Sequence, residues 1–265
     1  MRIVAIMTIR NEELYLPRVL ANLYNQGIEV CLVDNGSTDS SPEIARSFLE
    51  KGVARIEQLP YKGFYDLFSI LENERKLVKE IDADWFIHHD ADEIREAPMP
   101  PYKTLYEGIQ DVDRMGYNAI NFDEFVFLPT SDEEHYEGTD YIKEMRYYYL
   151  FEPGPLRRVN AWKNLKKPID LKSWGGHQVN FTDRRIFPGN FIMRHYIALS
   201  KVHIIKKYGE RVYSKYEVNE LGWHKYRIGF RTDRLVFPKK EDICCTDTNH
   251  WDRSKPRHQH LFLKQ

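Results

Sequence analysis

Two aspartates, Asp90 and Asp92, follow an apolar run at residues 85–87 and a pair of histidines. Positions i and i+2 of an extended chain point to the same side, so both carboxylates would project where a buried strand meets solvent. Carboxylates aimed at one point repel each other unless a cation lies between them, and oxygen ligands suit Mg²⁺ or Mn²⁺ in a phosphate-binding site. The alternative is a solvated acidic loop, because a D-x-D pattern alone is short and unspecific.

The segments around this pair alternate between strand and helix patterns. Strands are predicted at residues 2–9, 29–33, 53–59 and 85–89, and helices at 12–25, from 42 to 52, and 64–81. Such alternation predicts an α/β fold with a mostly parallel sheet covered by helices on both faces. The carboxyl ends of parallel strands share one edge, which is where open α/β sheets bind ligands.

The regular alternation of strand and helix patterns ends after Pro98. Strands are predicted at residues 119–128, 141–151 and 191–196, an irregular polar stretch at 162–180, a basic helix at 200–216, and a polar tail at 239–265. A mostly parallel first half followed by a mixed second half is therefore expected.

Two further loops carry polar groups at strand ends. Thr8, Arg10 and Glu12 follow the first strand, and backbone N–H groups at such a place favour anions. Asp34 ends the second strand and is placed to accept a hydrogen bond from a ribose hydroxyl or a base N–H, or alternatively to form an Asx turn before a helix. The chain has neither a G-x-G-x-x-G fingerprint nor a P-loop.

In order and spacing, these three motifs resemble those of the family 2 glycosyltransferases of GT-A fold. The matching segments are Val4 to Glu12, Val33 to Asp39, and the D-x-D-E sequence Asp90-Ala91-Asp92-Glu93. The resemblance implies a Rossmann-like, mostly parallel sheet flanked by helices. It also implies a nucleotide-sugar-binding half at residues 1–97, an acceptor-side half of the same domain at 98–238, and a C-terminal tail at 239–265.

The same resemblance assigns roles to individual residues. Thr8, Arg10 and Glu12 would flank the nucleotide, and Asp34 would hold the base or ribose. Asp90 and Asp92 would hold the metal and diphosphate. Arg75 matches a basic position that precedes the D-x-D, and its guanidinium would contact phosphate or the acidic motif. His195, in an H-Y…S…K pattern with Ser200 and Lys206 or Lys207, would complete the metal site.

The activity implied is metal-dependent transfer of a sugar from a UDP- or GDP-sugar to an acceptor hydroxyl, with Mn²⁺ or Mg²⁺ and with inversion. A general base must take the acceptor's proton. Family members usually present it in an E-D pair at a helix start, and no such pair stands at the matching place here. Asp183, His177 and Glu124 are the three candidates.

Composition narrows the remaining classes. A net charge of −1 over 265 residues argues against nucleic acid as the main partner. No apolar run is long enough to cross a bilayer and no signal peptide is visible, so we expect a cytoplasmic protein for which peripheral membrane contact is open. The competing functions are a sugar-nucleotide pyrophosphorylase, a haloacid-dehalogenase-type phosphatase, and a non-catalytic glycan-binding relative.

Overall fold

The structure is a computed structural model that describes residues 1–265 except 155, 157, 229, 231, 247–250 and 263–265. The chain forms two compact units. Unit 1 comprises residues 1–62, 66–122 and 156–193, and unit 2 comprises residues 63–65, 123–155 and 194–265. The predicted boundary at residue 97, between a nucleotide-sugar-binding half and an acceptor-side half, concerns function and stays a prediction. Parts of the predicted tail, at 247–250 and 263–265, lie outside the described residues.

The helices and strands follow one another in this order. The strands are β1 (Ile3–Ile9), β2 (Glu29–Asp34), β3 (Val53–Gln58), β4 (Trp85–His88), β5 (Glu93–Glu96), β6 (Ala119–Phe127), β7 (Tyr147–Phe151), β8 (Val159–Lys163), β9 (Phe191–Tyr196) and β10 (Cys244–Cys245). The α-helices are α1 (Leu16–Asn25), α2 (Ser41–Ser47), α3 (Leu67–Glu80), α4 (Leu105–Arg114), α5 (Tyr141–Glu144), α6 (Lys201–Ile204) and α7 (Lys215–Asn219).

Unit 1 is built on a sheet with the order β8-β4-β1-β2-β3. The four strands β4, β1, β2 and β3 are parallel, and β8 runs antiparallel to β4. The chain steps from β1 outward to β2 and β3 and then returns to the other side of β1 as β4. This reversal makes a switch point between β1 and β4, which is the preferred ligand position in such sheets. The predicted α/β fold with a mostly parallel, mixed sheet is confirmed.

Apolar spacing explains why these elements form. Almost every residue of β1 and β2 is buried, as expected for strands covered on both faces. Helix α3 starts at Asp66, whose carboxylate accepts a hydrogen bond from the Ser69 N–H at 3.0 Å. The buried face of α3 recurs at helical spacing and consists of Ile70, Leu71, Glu74, Leu77 and Val78.

Unit 2 has an antiparallel sheet with the order β10-β7-β6. Its core is aromatic. Phe127 stacks on Tyr196 with ring centroids 4.8 Å apart, and Phe125 stacks on Trp251 at 4.5 Å. Tyr148 of the Tyr-rich β7 strand packs edge-on against Phe125 with ring centroids 5.4 Å apart, so this strand is packing surface in unit 2.

Several sequence-based boundaries were wrong, and the second helix, predicted to end at residue 52, ends at Ser47. Residues 141–151 are not one strand, because the short helix α5 precedes β7; Tyr141 in α5 and its C-cap Met145, four residues apart, are both buried. The basic helix predicted at 200–216 is α6 followed by a π-helical turn (Ile205–Gly209), and α7 begins separately. The stretch predicted as irregular from residue 162 begins within β8. Residues 12–15 form a turn before α1, in which the Glu12 carbonyl accepts from the N–H groups of Tyr15 and Leu16.

Helix α4 was not predicted at all. Thr104 caps it by accepting a hydrogen bond from the Glu107 N–H at 3.2 Å, and its buried residues Leu105, Ile109 and Val112 have helical spacing. Three prolines at residues 98–101 interrupt regular structure just before this helix, and they mask where its pattern begins. Among the described residues, no helix is long and apolar enough to cross a membrane.

Candidate functional site

Three predicted site positions lie at the carboxyl edge of adjacent strands in unit 1. Ile6 pairs with His88 across β1 and β4, and the His89 N–H donates to the Ile6 carbonyl at 3.1 Å. Continuing this register by two residues brings Thr8 level with Asp90. On the other side of β1, Ile9 pairs with Asp34. The chain therefore presents Thr8, Asp34 and Asp90 along one edge, at the switch point of the sheet.

Arg10 ties the loop after β1 to the loop after β2. Its Nη1 donates to the carbonyl oxygens of Asn35, at 3.1 Å, and Gly36. Its guanidinium lies 3.4 Å from the centroid of the Tyr61 ring. Gly36 has a φ of +67°, and a Cβ there would approach the Tyr61 Cβ to 3.0 Å. Arg10 thus holds the two loops together, because its guanidinium stacks on the Tyr61 ring and donates hydrogen bonds to two carbonyl oxygens of the second loop.

Neighbouring residues add to this connection. The Asn11 Oδ1 accepts a hydrogen bond from the Thr38 N–H at 2.7 Å, and the Glu12 N–H donates to Ser41 Oγ at 2.8 Å. Both Arg10 and Glu12 therefore position backbone at the edge of the site, in addition to any contact they make with a ligand. Loops fixed in this way are pre-organised for binding.

Asp34 is buried at the end of β2, where one of its oxygens forms an Asx turn. Its Oδ1 accepts a hydrogen bond from the Ser37 N–H at 3.0 Å. Both roles predicted for Asp34, the Asx turn and the hydrogen bond from a ribose hydroxyl or base N–H, fit the structure. The turn uses Oδ1, while Oδ2 accepts no hydrogen bond within the described part of the chain.

The acidic motif places carboxylates close together. Asp90 is exposed, while Asp92 and Glu93 are 8% and 1% exposed. The pKa of Asp90 is raised, first by loss of hydration at its carboxylate and then by the Glu93 carboxylate. Asp92 adds to the rise, while His88 and Arg158 oppose it. Carboxylates that repel one another form a site that a cation would stabilise, and Asp90 is the one that solvent reaches.

A buried ion pair between Glu93 and Arg95 supports the acidic motif. Glu93 Oε2 accepts hydrogen bonds from Arg95 Nη2 at 2.6 Å and from the Asp90 N–H at 3.3 Å. Arg95 is fully buried, and its guanidinium lies 4.5 Å from the centroid of the Phe122 ring. The backbone of Asp90 is therefore tied to β5 through Glu93.

Glu74 is a residue of the candidate site that the sequence did not predict. It belongs to α3 and lies 2.7 Å from His88 Nδ1, with both side chains largely buried. Burial opposes protonation of His88, but Glu74 outweighs it and raises the pKa of His88 to about 9. A carboxylate within the apolar stripe of α3 was the available signal, since such a residue needs a buried partner.

Arg75, the next residue on α3, is engaged with Glu72. The Arg75 Nη2 lies 2.5 Å from Glu72 Oε1, and Lys172 Nζ lies 3.3 Å from Glu72 Oε2. The hydrogen bond from Arg75 is the main cause that lowers the pKa of Glu72 to about 2. To make the predicted contact with phosphate or the acidic motif, the Arg75 guanidinium would have to leave Glu72.

Asp183, a candidate base, lies at the opposite edge of the sheet. Its carbonyl accepts from Asn118 Nδ2 at 2.9 Å, and the Asn118 carbonyl accepts from the Lys163 N–H. Lys163 pairs with Trp85, the first residue of β4. Asp183 is therefore at the amino-terminal end of the parallel strands, and its carboxylate binds Lys167 at 2.5 Å.

His177, the second candidate, lies at the carboxyl edge. Gln178 forms a bridge with Val159, the first residue of β8, which is level with the end of β4 because β8 is antiparallel to it. Gly176 has a φ of +81°, and a Cβ there would lie 3.2 Å from His88 Nε2. The backbone before His177 therefore passes directly over His88.

The protonation state of His177 follows from its contact with Arg158. Arg158 Nη1 lies 2.7 Å from His177 Nδ1, and a guanidinium can only donate. Nδ1 must therefore accept, which puts the proton of the neutral imidazole on Nε2. In this state Nε2 is a hydrogen-bond donor and cannot take up a proton.

The third candidate, Glu124, is paired with the predicted metal ligand. Glu124 Oε1 lies 2.7 Å from His195 Nδ1, and both residues belong to unit 2. Glu124 is fully buried and His195 is largely buried. Sequence reasoning treated the two as separate, because their contact depends on the pairing of strands far apart in the chain.

The residues of the acidic motif fit a divalent cation. Asp90 and Asp92 offer the carboxylate oxygens that Mg²⁺ and Mn²⁺ prefer. Over the described residues, no group of three or more His, Cys, Asp or Glu side chains could hold a metal ion. Two protein carboxylates suit a cation whose other ligands come from a diphosphate and water, as is usual for Mg²⁺.

Comparisons with known proteins give one family match and several similar solved structures. A family model described as glycosyl transferase family 2 matches residues 4–95. Among similar solved structures, S. aureus TarS 1-349 is 13% identical with a TM-score of 0.46, and the match covers 74% of this chain and 60% of that one. Glucosyl-3-phosphoglycerate synthase from Mycobacterium tuberculosis, solved with Mn²⁺, UDP and its product, is 16% identical with a TM-score of 0.32, and the match covers 47% and 44%.

The chain thus spans less than two thirds of the length of these two structures. The comparison with curated proteins gave no match. The family match includes all three loops at the carboxyl edge, from Thr8 through Asp34 to Asp92. The resemblance inferred from the motifs is therefore confirmed over residues 4–95, the region that matches the glycosyl transferase family 2 model.

Proposed function

We propose that the protein transfers a sugar from a UDP- or GDP-sugar to an acceptor hydroxyl with the help of Mn²⁺ or Mg²⁺, and with inversion. The observation that carries the proposal is the crowding of carboxylates at the switch point between β1 and β4. Asp90 is accessible there, and its pKa is raised by loss of hydration and by Glu93. Residues 1–97 would bind the donor, and residues 98–238 would provide the acceptor side.

Asp34 and the two tied loops would hold the nucleoside. Asp34 Oδ2 would accept from a ribose hydroxyl or a base N–H, while Oδ1 keeps its turn with Ser37. Thr8 stands level with Asp90, between the nucleoside and the diphosphate in this arrangement. Arg10 and Glu12 keep the loops at fixed separation. Arg75 would contact phosphate after leaving Glu72.

Asp90 and Asp92 would hold the metal ion, and His195 stays a predicted third ligand. A bound divalent cation supplies Lewis-acid stabilisation of the diphosphate leaving group. The hydrogen bond that His195 Nδ1 donates to Glu124 Oε1 is the support that metal-binding histidines usually have, since it orients the ring for its other nitrogen to bind. Glu124 would then position His195, and would not accept a proton from the acceptor.

His177 is expected to act as a hydrogen-bond donor. His177→Gln keeps a donor group but cannot take up a proton, so we expect kcat within about tenfold of the wild-type value. His177→Ala removes the donor and should lower kcat by about 10- to 100-fold, the effect of losing one hydrogen bond to a charged group. Steady-state rates of sugar transfer would measure both.

One outcome would contradict this role for His177. If it were the general base, both variants would lose about 10² to 10⁴ in kcat. Asp183→Asn serves as the matched control at the opposite edge of the sheet, and it should leave kcat unchanged. A large loss in Asp183→Asn would restore Asp183 as the base candidate.

The alternative functions lack the features that they need. A sugar-nucleotide pyrophosphorylase normally carries a glycine-rich signature after the first strand, and residues 8–12 contain no glycine. A non-catalytic glycan-binding relative would have no metal-dependent affinity for nucleotides. The carboxylate cluster at the switch point favours the transferase over both.

A thermal-shift panel tests the proposal directly. UDP, GDP, ADP and CMP are added to the protein with and without Mn²⁺, and the unfolding temperature is measured. We expect UDP or GDP to raise the unfolding temperature only when Mn²⁺ is present, because ligands that bind the native state stabilise it. No response to any nucleotide with Mn²⁺ would overturn the proposal.

A further inference from the structure

A cavity of about 460 Å³ lies at the amino-terminal end of the parallel strands in unit 1. It is lined by residues 116–118 before β6, by Lys163 and Leu165 at the end of β8, and by residues 183–185. Lys163 pairs with Trp85, the first residue of β4, so the loops after β1, β2 and β4 lie at the opposite edge of the sheet. Small-molecule sites have volumes of roughly 300 to 1,000 Å³. The cavity is therefore large enough for a small ligand and separate from the donor edge.

Hydrogen bonds and ring packing fix the walls of this cavity. The Asn118 side chain donates from Nδ2 to the Asp183 carbonyl at 2.9 Å and accepts at Oδ1 from the Arg185 N–H at 2.6 Å. The Asn118 N–H donates to the Arg185 carbonyl at 2.9 Å. The Tyr117 ring packs edge-on against Phe187 with ring centroids 5.5 Å apart. Walls held in this way need little reorganisation to bind a ligand.

The lysines in and beside the cavity wall are already paired with carboxylates. The N–O distances are 2.7 Å for Lys163 with Asp113, 3.7 Å for Lys166 with Asp82, and 2.5 Å for Lys167 with Asp183. Asp183 thus belongs to the lining, but Lys167 matches its negative charge. These three pairs together contribute no net charge to the cavity.

Two arginines of the lining have no carboxylate at ion-pair distance within the described residues. Arg184 Nη1 donates a hydrogen bond to the Val179 carbonyl, which is uncharged. Partial burial removes some hydration from the Arg184 guanidinium and lowers its pKa. The pKa of Asp183 is lowered mainly by Lys167 and to a smaller extent by the charge of Arg185, which is exposed. Since arginine stays protonated in proteins, two permanent positive charges lie next to each other in the cavity wall.

We propose that this cavity is a second ligand-binding site, which takes the phosphate group of a small phosphorylated molecule through Arg184 and Arg185. Guanidinium groups donate in pairs to phosphate oxygens, and Arg184 keeps further N–H donors beyond the one that binds Val179. The Tyr117 ring provides a flat wall for the organic part of the ligand. The proposal does not depend on the proposed function, because all of these residues lie at the edge opposite Asp90 and Asp92.

Calorimetric titration of the full chain tests for the site. Inorganic phosphate and glucose 6-phosphate are the probes, glucose is the neutral control, and EDTA keeps metal from Asp90 and Asp92. We expect both phosphate probes to bind with saturation and glucose to bind at least about tenfold more weakly, because the hydrogen bonds to phosphate are charge-assisted. Glucose binding as tightly as glucose 6-phosphate would overturn the proposal.

Variants of Arg185 locate the binding. Arg185→Gln should weaken binding of glucose 6-phosphate by at least about tenfold, and Arg185→Lys, which keeps the charge but loses the fork of donors, should have an intermediate effect. Arg114→Gln is the matched control, since Arg114 is an exposed arginine at the end of α4 outside the cavity lining. It should change the affinity by less than about twofold. Unfolding temperatures would establish that each variant is folded.

The proposal fails if the wild-type protein binds neither phosphate probe, or if folded Arg185→Gln binds glucose 6-phosphate as tightly as wild type. It also fails if UDP with Mn²⁺ displaces glucose 6-phosphate, because the probe would then occupy the donor site. These results are separate from those on the proposed function. A wild-type protein that does not respond to UDP and Mn²⁺ would overturn the donor site and leave metal-free binding through Arg185 intact.

Discussion

Replacing Asp92 with alanine is expected to abolish Mn²⁺-dependent nucleotide binding and to lower the rate of sugar transfer by about a thousandfold. Stabilisation of a leaving diphosphate by a metal ion contributes several kcal/mol, and about 4 kcal/mol corresponds to about 10³ in rate. Asp92 is nearly buried beside Asp90, so no other side chain can simply take its place. The measurements are the thermal shift with UDP and Mn²⁺ and the initial rate of transfer.

The control for this variant is Asp82→Ala, because the Asp82 side chain is 99% exposed and lies before β4. It should keep both the shift and the rate. The unfolding temperature of Asp92→Ala without ligand must stay close to wild type for the comparison to be fair. A folded Asp92→Ala protein that still responds to UDP only with Mn²⁺ would rule out Asp92 as a metal ligand.

A second large effect is expected from Glu93→Gln, this time on stability. Glu93 and Arg95 form a pair that is almost completely excluded from solvent. Removing one partner leaves an uncompensated buried charge, which typically costs about 3 to 5 kcal/mol. Urea unfolding, followed by circular dichroism, should show this loss as a lower midpoint with little change in slope.

Two further variants give this prediction a clear reference. Glu43→Gln breaks an exposed pair with Arg46 and should leave the free energy of unfolding nearly unchanged. The double variant Glu93→Leu with Arg95→Met removes both charges, and it should recover much of the lost stability. Equal midpoints for wild type and Glu93→Gln would mean that the pair contributes nothing to stability.

The fold of unit 1 could be predicted because its strands and helices carry strong local patterns. The apolar runs of β1, β2 and β4 end at polar loops, and parallel pairing brings those loops to one edge. Helix α4 has an equally regular pattern, but the prolines before it obscured its beginning. The short strand β8 has only five residues, which is too few for periodicity to separate it from irregular chain.

The partners of the site residues could not be predicted in the same way. Glu74 reaches His88, and Glu124 reaches His195, across distances along the chain that no local pattern encodes. Such contacts depend on strand register and on which face of a helix meets the sheet. The position of Glu74 within the apolar face of α3 is a local signal that it has a buried partner. That signal does not identify the partner as His88. The tautomer of His177 likewise follows only from the position of Arg158.

The connection between the loops after β1 and β2 bears on how this edge of the protein opens. Arg10, Asn11 and Glu12 each bond to the segment from Asn35 to Ser41, so neither loop can separate without breaking several bonds at once. The two loops should therefore open as one cooperative unit, and their amide protons should exchange with solvent at a common, slow rate. A nucleoside would then meet a surface that is already ordered, and little conformational entropy would be lost when it binds.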